Sequence, residues 1–119
     1  MKDKVALFAA TLLHSATNAH FFHWSTGSYA KHKALGKYYD EIIDAVDAYV
    51  EVFMGLYGKI EDFPNCYHEP KDPIPYMQSL QTFVRDARQS LPKDPQLVNL
   101  CDGIADLIDS TTYKLKFLE

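Results

Sequence analysis

The fold is decided by residues 28–58, which read SYAKHKALGKYYDEIIDAVDAYVEVFMGLYG. Apolar side chains recur at steps of three and four through this stretch, which contains no proline and opens on Ser28, a favourable N-cap residue. The pattern predicts one long amphipathic helix that begins near Ser28 and continues to about Gly58. Its expected core face consists of Leu35, Tyr39, Ile42, Ile43, Val46, Val50, Phe53 and Tyr57.

The same spacing predicts three further helices. The first extends from about Asp3 to Trp24, and the third covers about residues 75–91. The fourth begins with Asp94 as N-cap and Pro95 at the first helical position. Prolines exclude a long helix from the linker at residues 59–75. We therefore expect residues 1–119 to form a single all-α domain, a four-helix bundle with a long second helix and a proline-rich linker before helix three.

Composition narrows the function classes. The chain carries 12 basic and 16 acidic residues, a formal charge of −4, and has no lysine-rich tail, so we expect no nucleic-acid partner. No apolar run approaches the roughly 20 residues that cross a bilayer, so we expect no membrane partner. The segment Val5–Leu13 behind two lysines imitates a signal peptide, but its helical spacing continues past Ala16–Ala19. We therefore expect a cytoplasmic protein.

Four carboxylates on the second helix form one narrow stripe, here called the acidic stripe: Asp40, Asp44, Asp47 and Glu51. A helical wheel places them within about 60° of one another and away from the core face. Such a stripe is commonly a solvated face. However, its members repel one another by a few tenths of a kcal/mol per close pair, and its second half has no cation on the same helix. A divalent cation is one way to offset that repulsion.

Histidines cluster just before this stripe. His23 ends the first helix and His32 lies after a short connection, so the two can share a site, whereas His14 and His20 are expected to pack or cap. Imidazole with carboxylate suits Fe(II), Zn(II) and Mn(II). His32 and Asp47 are 15 residues apart on one helix, hence about 22 Å. If histidines and carboxylates share an ion, the carboxylates must come from a second chain in a two-fold dimer.

The stretch NAHFFHW (residues 18–24), the Gly27 break, His32 and the segment DAYVE (residues 47–51) resemble the Dps family of ferritin-like mini-ferritins. The spacings from His32 to Asp47 and from Asp47 to Glu51 match that family's pattern without a gap. The resemblance implies an iron-oxidising site between two subunits, with His23 and His32 from one chain and Asp47 and Glu51 from its mate as metal ligands and catalytic residues. Trp24, Asp40, Asp44 and His20 are expected accessory residues.

The resemblance further implies that Fe(II), singly or in pairs, is oxidised by peroxide or dioxygen, with protection against peroxide. It also implies a homo-oligomer that extends to a dodecameric shell storing iron, and Zn or Mn remains open as the metal. Gly36 stands where the family has an acid one turn after the second His, so one ligand is absent, and Asp40 lies one turn further on. The chain is also shorter than typical members.

Two alternatives remain open at the level of sequence. The chain can be a ferritin-like helical scaffold or interaction protein that has lost the metal centre, for which Gly36 and the short length argue. Alternatively, the linker cluster Cys66, Tyr67, His68 and Glu69 binds a metal or a partner, although such loop residues are usually solvated.

Overall fold

The computed structural model describes residues 1–118, and these form four helices with no strand among them. The helices are α1 (Lys2–Ser25), α2 (Tyr29–Tyr57), α3 (Pro73–Ala87) and α4 (Pro95–Phe117). The prediction of an all-α four-helix bundle is confirmed. Helix α3 begins earlier than expected because Pro73 and Pro75 fit its first turn, where a missing N–H costs nothing.

The helices pack in a ring, in which α1 contacts α2 and α3, and α4 contacts α2 and α3. Short connections join α1 to α2 and α3 to α4, so each of these pairs is an antiparallel hairpin. The segment at residues 58–72 leaves the end of α2 near Lys2 and reaches Asn18, far along α1, before α3 begins. Helices α2 and α3 therefore run in the same direction, and the bundle has one long crossover connection.

Both ends of α2 follow the sequence prediction. The Ser28 hydroxyl accepts from the backbone N–H of Lys31 at 3.2 Å, and Gly58 ends the helix with φ 97°. The start of α4 is also as predicted, but Asp94 makes no capping hydrogen bond with its side chain. Its carboxylate instead accepts from the Tyr57 hydroxyl at 2.5 Å, which links the start of α4 to the end of α2.

The core face of α2 is rotated from the predicted one. Tyr38 and Tyr49 are fully buried, whereas Ile43 and Tyr57 are 39% and 38% exposed. On the helical wheel the buried positions lie at about 120–240°, rather than 200–300°, so the expected core positions of Ile43 and Tyr57 were wrong. The hydroxyl of Tyr38 makes burial possible, because it donates to Ser15 on α1 at 2.7 Å. The acidic stripe consequently lies almost opposite the core.

Helix α1 continues without a break through residues 16–19, as its apolar spacing indicated. The positions that follow this spacing are all buried, namely Val5, Phe8, Leu12, Ala16 and Ala19. Among residues 1–118, no helix combines the length and the apolar character needed to cross a bilayer.

Candidate metal centre

His23 and His32, here called the histidine pair, face each other across the connection between α1 and α2. Nδ1 of His23 lies 2.6 Å from the carbonyl oxygen of His32, and Nδ1 of His32 lies 2.8 Å from the carbonyl oxygen of His23. A carbonyl only accepts, so each Nδ1 carries a hydrogen and donates it. In a neutral ring, the lone pair then lies on Nε2, the arrangement that second-shell hydrogen bonds give to metal-bound histidines.

The two rings of the histidine pair are stacked, with centroids 3.7 Å apart and planes inclined by 18°. A metal bound to imidazole lies in the plane of the ring, about 2.0–2.1 Å from the nitrogen. Two nearly parallel planes in van der Waals contact do not meet within that reach. In this orientation the two Nε2 atoms can each bind a metal ion separately. Binding of one ion by both rings requires one ring to rotate.

Gly36 provides the space that the His23 ring occupies. A Cβ at position 36 would lie 3.1 Å from Nδ1 of His23 and 2.9 Å from its Cε1, and the second distance is shorter than real Cβ atoms show. The ring therefore packs directly on the backbone of α2, where the resemblance led us to expect an acidic ligand. An acidic side chain at this position would collide with the ring in its present orientation. The missing ligand and the position of His23 are thus parts of one arrangement.

Aromatic side chains surround the histidine pair. His20 stacks on Tyr39 with centroids 4.0 Å apart, and Tyr39 also presents an edge-on contact to His23 at 5.4 Å. His20 is therefore packed, as the sequence suggested. Trp24 contacts His20 at 4.4 Å but is 66% exposed, so it does not plug the end of the bundle in the single chain.

The histidine pair lines an open groove of about 950 Å³ at the end of the bundle. Three lysines also line it, Lys33 and Lys37 from α2 and Lys114 from α4, against one carboxylate among residues 1–118, Asp40. Lys37 has a partner in Glu41 at 4.0 Å. Within residues 1–118 the groove of an isolated chain thus carries a net positive charge, which disfavours a cation unless further carboxylates approach it.

All four members of the acidic stripe are exposed, as predicted. Among residues 1–118, none of them takes part in an ion pair within 4.0 Å. Because α2 is continuous, Asp47 remains about 22 Å from His32. Within the same described part of the chain, no three His, Cys, Asp or Glu side chains come close enough to hold a metal ion. One chain therefore supplies the histidines and carboxylates at two separate places.

Sequence reasoning missed a contact between the linker and α1. Cys66 Sγ lies 3.8 Å from Nδ1 of His14 and 3.8 Å from Oγ1 of Thr11. These residues are more than 50 positions apart in sequence, and no spacing rule connects them. The predicted linker cluster does not form a metal-binding group among the described residues. Cys66 contacts α1, while the backbone carbonyl of His68 accepts from Asn18.

The comparisons with known proteins identify a family but not an activity. A model of a family of unknown function, DUF5856, matches residues 23–115, which are 93 of the 119 residues. The chain belongs to this family. The matched span includes His23, His32, Gly36 and the acidic stripe. Neither the curated proteins nor the solved structures contain a match to the chain.

Proposed function

We propose that this member of DUF5856 is a Dps-like mini-ferritin that binds and oxidises Fe(II) at a site shared by two chains. One chain contributes His23 and His32, and its mate contributes Asp47 and Glu51. The iron is a substrate, and peroxide or dioxygen is the oxidant. When peroxide is the oxidant, the activity also removes peroxide. We include in this proposal a cytoplasmic location, in which the free thiols of Cys66 and Cys101 would stay reduced.

The observation that carries the proposal is the pair of reciprocal hydrogen bonds between His23 and His32. Each imidazole is fixed by its Nδ1–H on a backbone carbonyl, which leaves Nε2 as a donor atom for a metal. Both side chains are only partly buried and border an open groove, so an ion and an oxidant can reach them.

The path of the chain supports the same proposal. A four-helix bundle with a single long crossover connection is the arrangement found in ferritin-like folds, whereas simple up-down-up-down bundles use short loops throughout. Here, the segment at residues 58–72 makes that crossover.

The charges of the groove and of the acidic stripe support a site shared by two chains. In the part of the chain that the structure describes, the groove beside the histidine pair is lined by more ammonium groups than carboxylates. The acidic stripe has the opposite character and is exposed on the far side of α2 from the core. If two copies of α2 pack antiparallel, the stripe of one chain approaches the groove of the other, and two-fold symmetry produces two equal sites. The partner carboxylates then offset both the lysines and their own mutual repulsion.

Histidine and carboxylate ligands hold Fe(II) and leave coordination positions open for an oxidant. Each Fe(II) loses one electron and each peroxide takes two, so two Fe(II) are oxidised for every peroxide that is reduced to water. Trp24, exposed beside His20, is a nearby electron donor in this scheme. Storage of the oxidised iron would follow if the dimers assemble into a closed shell.

The test is anaerobic addition of Fe(II), followed by peroxide, with absorbance recording Fe(III) formation. Wild-type protein is expected to bind Fe(II) before oxidation and to accelerate its oxidation. Asp47→Ala and His23→Ala are expected to remove both effects, whereas Asp86→Ala, an exposed acid on α3, is a matched control that changes neither. Equal oxidation rates in wild type, Asp47→Ala and His23→Ala would refute the proposed activity.

A second candidate function is supported by the rings themselves. Because the two rings are stacked and Gly36 supplies no carboxylate, the same residues can simply pack α1 against α2. The protein would then be a helical scaffold or interaction protein that has lost the metal centre. The two functions differ in their response to metal. A scaffold would keep the same thermal stability with and without Fe(II) or Zn(II), while a metal protein is stabilised by an ion that binds its folded form.

A further inference from the structure

A second cluster of reactive groups lies at the middle of α1, away from the histidine pair. Cys66 on the linker contacts His14 and Thr11 on α1, each at 3.8 Å from its sulfur. These groups border a small pocket of about 140 Å³, here called the thiol pocket. Its walls also include Asn18 and Tyr76.

Asn18 provides an independent sign that the thiol pocket takes a ligand. Its side chain is only 3% exposed, and its Oδ1 has no hydrogen-bond partner. The orientation of the amide is set by its nitrogen, which donates to the Tyr76 hydroxyl at 3.0 Å and to the carbonyl of His68 at 3.4 Å. A buried acceptor without a partner is destabilising, so the pocket favours a molecule that brings an O–H or N–H donor.

The size of the thiol pocket limits that molecule. One water occupies about 30 Å³ of the liquid, so a pocket of about 140 Å³ admits only a few non-hydrogen atoms. The Tyr76 hydroxyl also borders it, and burial raises the pKa of Tyr76, which keeps that hydroxyl protonated as a donor. The side chains of Cys66, His14, Asn18 and Tyr76 therefore line a space that admits only a very small polar molecule.

We propose that the thiol pocket binds hydrogen peroxide and that Cys66 reduces it. Peroxide is small enough, and its O–H groups can donate to Oδ1 of Asn18 while its oxygens accept from Tyr76. The proposed site is separate from the histidine pair and needs neither iron nor a second chain.

The reaction follows from the contacts of Cys66. His14 Nδ1 takes the thiol proton, and the thiolate, which is the nucleophilic form, attacks one peroxide oxygen. The S–O bond forms as the O–O bond breaks, and the departing hydroxide takes the proton from His14 to become water. Sulfur is oxidised by two electrons, peroxide is reduced, and Cys66 becomes a sulfenic acid. Return to the thiol requires an external thiol, because Cys101 is buried in the core.

The experiment treats metal-free protein, with a chelator present, with hydrogen peroxide and traps sulfenic acid with dimedone. Peptide mass spectrometry gives the rate of labelling at each cysteine. Cys101 is an internal control, since it is 3% exposed and burial raises the pKa of its thiol. We expect labelling of Cys66 and none of Cys101. We also expect His14→Gln to slow the labelling of Cys66 by at least about tenfold, since a general base usually contributes about 10²–10⁴-fold. Thr17→Ala, at an exposed position on the same helix, should leave the rate unchanged.

A measurement on the wild type alone covers the case in which His14→Gln does not fold. In concentrated urea Cys66 is more accessible but has lost its neighbours. The proposal predicts faster labelling in the folded protein than in urea, whereas an ordinary surface thiol would react no faster when folded. Equal or slower labelling in the folded protein, or an unchanged rate in a folded His14→Gln variant, would overturn it. Both outcomes are independent of Fe(II) oxidation, so the proposed function at the histidine pair is tested separately.

Discussion

Replacing Gly36 by alanine tests the packing of the histidine pair in one substitution. In an open helix interior, Gly→Ala stabilises by about 0.8–1.0 kcal/mol. At position 36, however, the new Cβ would lie 2.9 Å from the His23 ring. The ring is held between His32 and Tyr39 and cannot move without leaving these contacts. The substitution therefore gains helix propensity and loses the arrangement of His23.

The loss can be estimated from the contacts that His23 gives up. Its hydrogen bond to the His32 carbonyl contributes about 0.5–1.5 kcal/mol net. Its ring stacking contributes a similar amount, about 0.5–1.5 kcal/mol. Together these reach about 1–3 kcal/mol, against a gain of about 1 kcal/mol from helix propensity. We expect Gly36→Ala to lie between no change and about 2 kcal/mol of destabilisation.

A double-mutant cycle with His23→Ala isolates the steric effect. Without the imidazole, the same Gly36→Ala change meets no ring and should stabilise by about 1 kcal/mol. The coupling free energy between the two positions is then about 1–3 kcal/mol. Gly103→Ala is a matched control within α4, because no atom lies within 4 Å of its added Cβ. It should stabilise wild type and His23→Ala equally.

Urea unfolding followed by circular dichroism, at one fixed protein concentration, gives each free energy of unfolding. Equal stabilisation by Gly36→Ala in the wild type and in His23→Ala would refute this account of Gly36. It would show that His23 does not pack on the backbone of α2. The same variant should also weaken Fe(II) binding, since the displaced ring no longer directs Nε2 into the groove.

Three further changes test the bundle that supports the site. Ser28→Ala should lower the free energy of unfolding by about 1 kcal/mol through loss of the α2 cap, measured by urea unfolding, and no change would contradict the capping role. Burial raises the pKa of Tyr38 above the value of about 10 at which tyrosine titrates in the unfolded chain. The contribution of the buried Tyr38 side chain to the free energy of unfolding is therefore intact below about pH 10 and is lost as the pH rises above it. Tyr38→Phe should therefore flatten the alkaline fall in stability, and an equally steep fall would count against burial of the hydroxyl. Asp102→Ala, which breaks an exposed ion pair with Arg88, should cost less than about 1 kcal/mol, and a larger loss would contradict its surface character.

The sequence predicted those parts of the fold that depend on local chemistry. The Ser28 cap, the Gly58 end, the prolines of the linker and the apolar spacing each act within a few residues, so they indicated the helices correctly. The rotation of the α2 core face could not be predicted from hydrophobicity. Tyr38 is buried because Ser15 on another helix satisfies its hydroxyl, which no periodicity in α2 reveals.

The candidate site was predictable to a similar degree. The short connection between α1 and α2 brings His23 and His32 together, as the spacing indicated. Their stacking and the role of Gly36 depend on ring orientations that sequence does not encode locally. The contact between Cys66 and His14 was missed because it joins the crossover segment to α1 across 52 positions.

The most direct measurement of a site shared by two chains is complementation between two inactive variants. One variant carries His23→Ala and His32→Ala, and the other carries Asp47→Ala and Glu51→Ala. Mixed dimers, isolated through a different affinity tag on each chain, contain one complete site and one that lacks all four groups. We predict that each variant alone binds no Fe(II) at the site, and that the mixed dimer regains half of the wild-type stoichiometry and peroxide-dependent oxidation. If the mixed dimer forms but remains as inactive as its parents, the histidines and carboxylates do not meet between chains, and the account is contradicted.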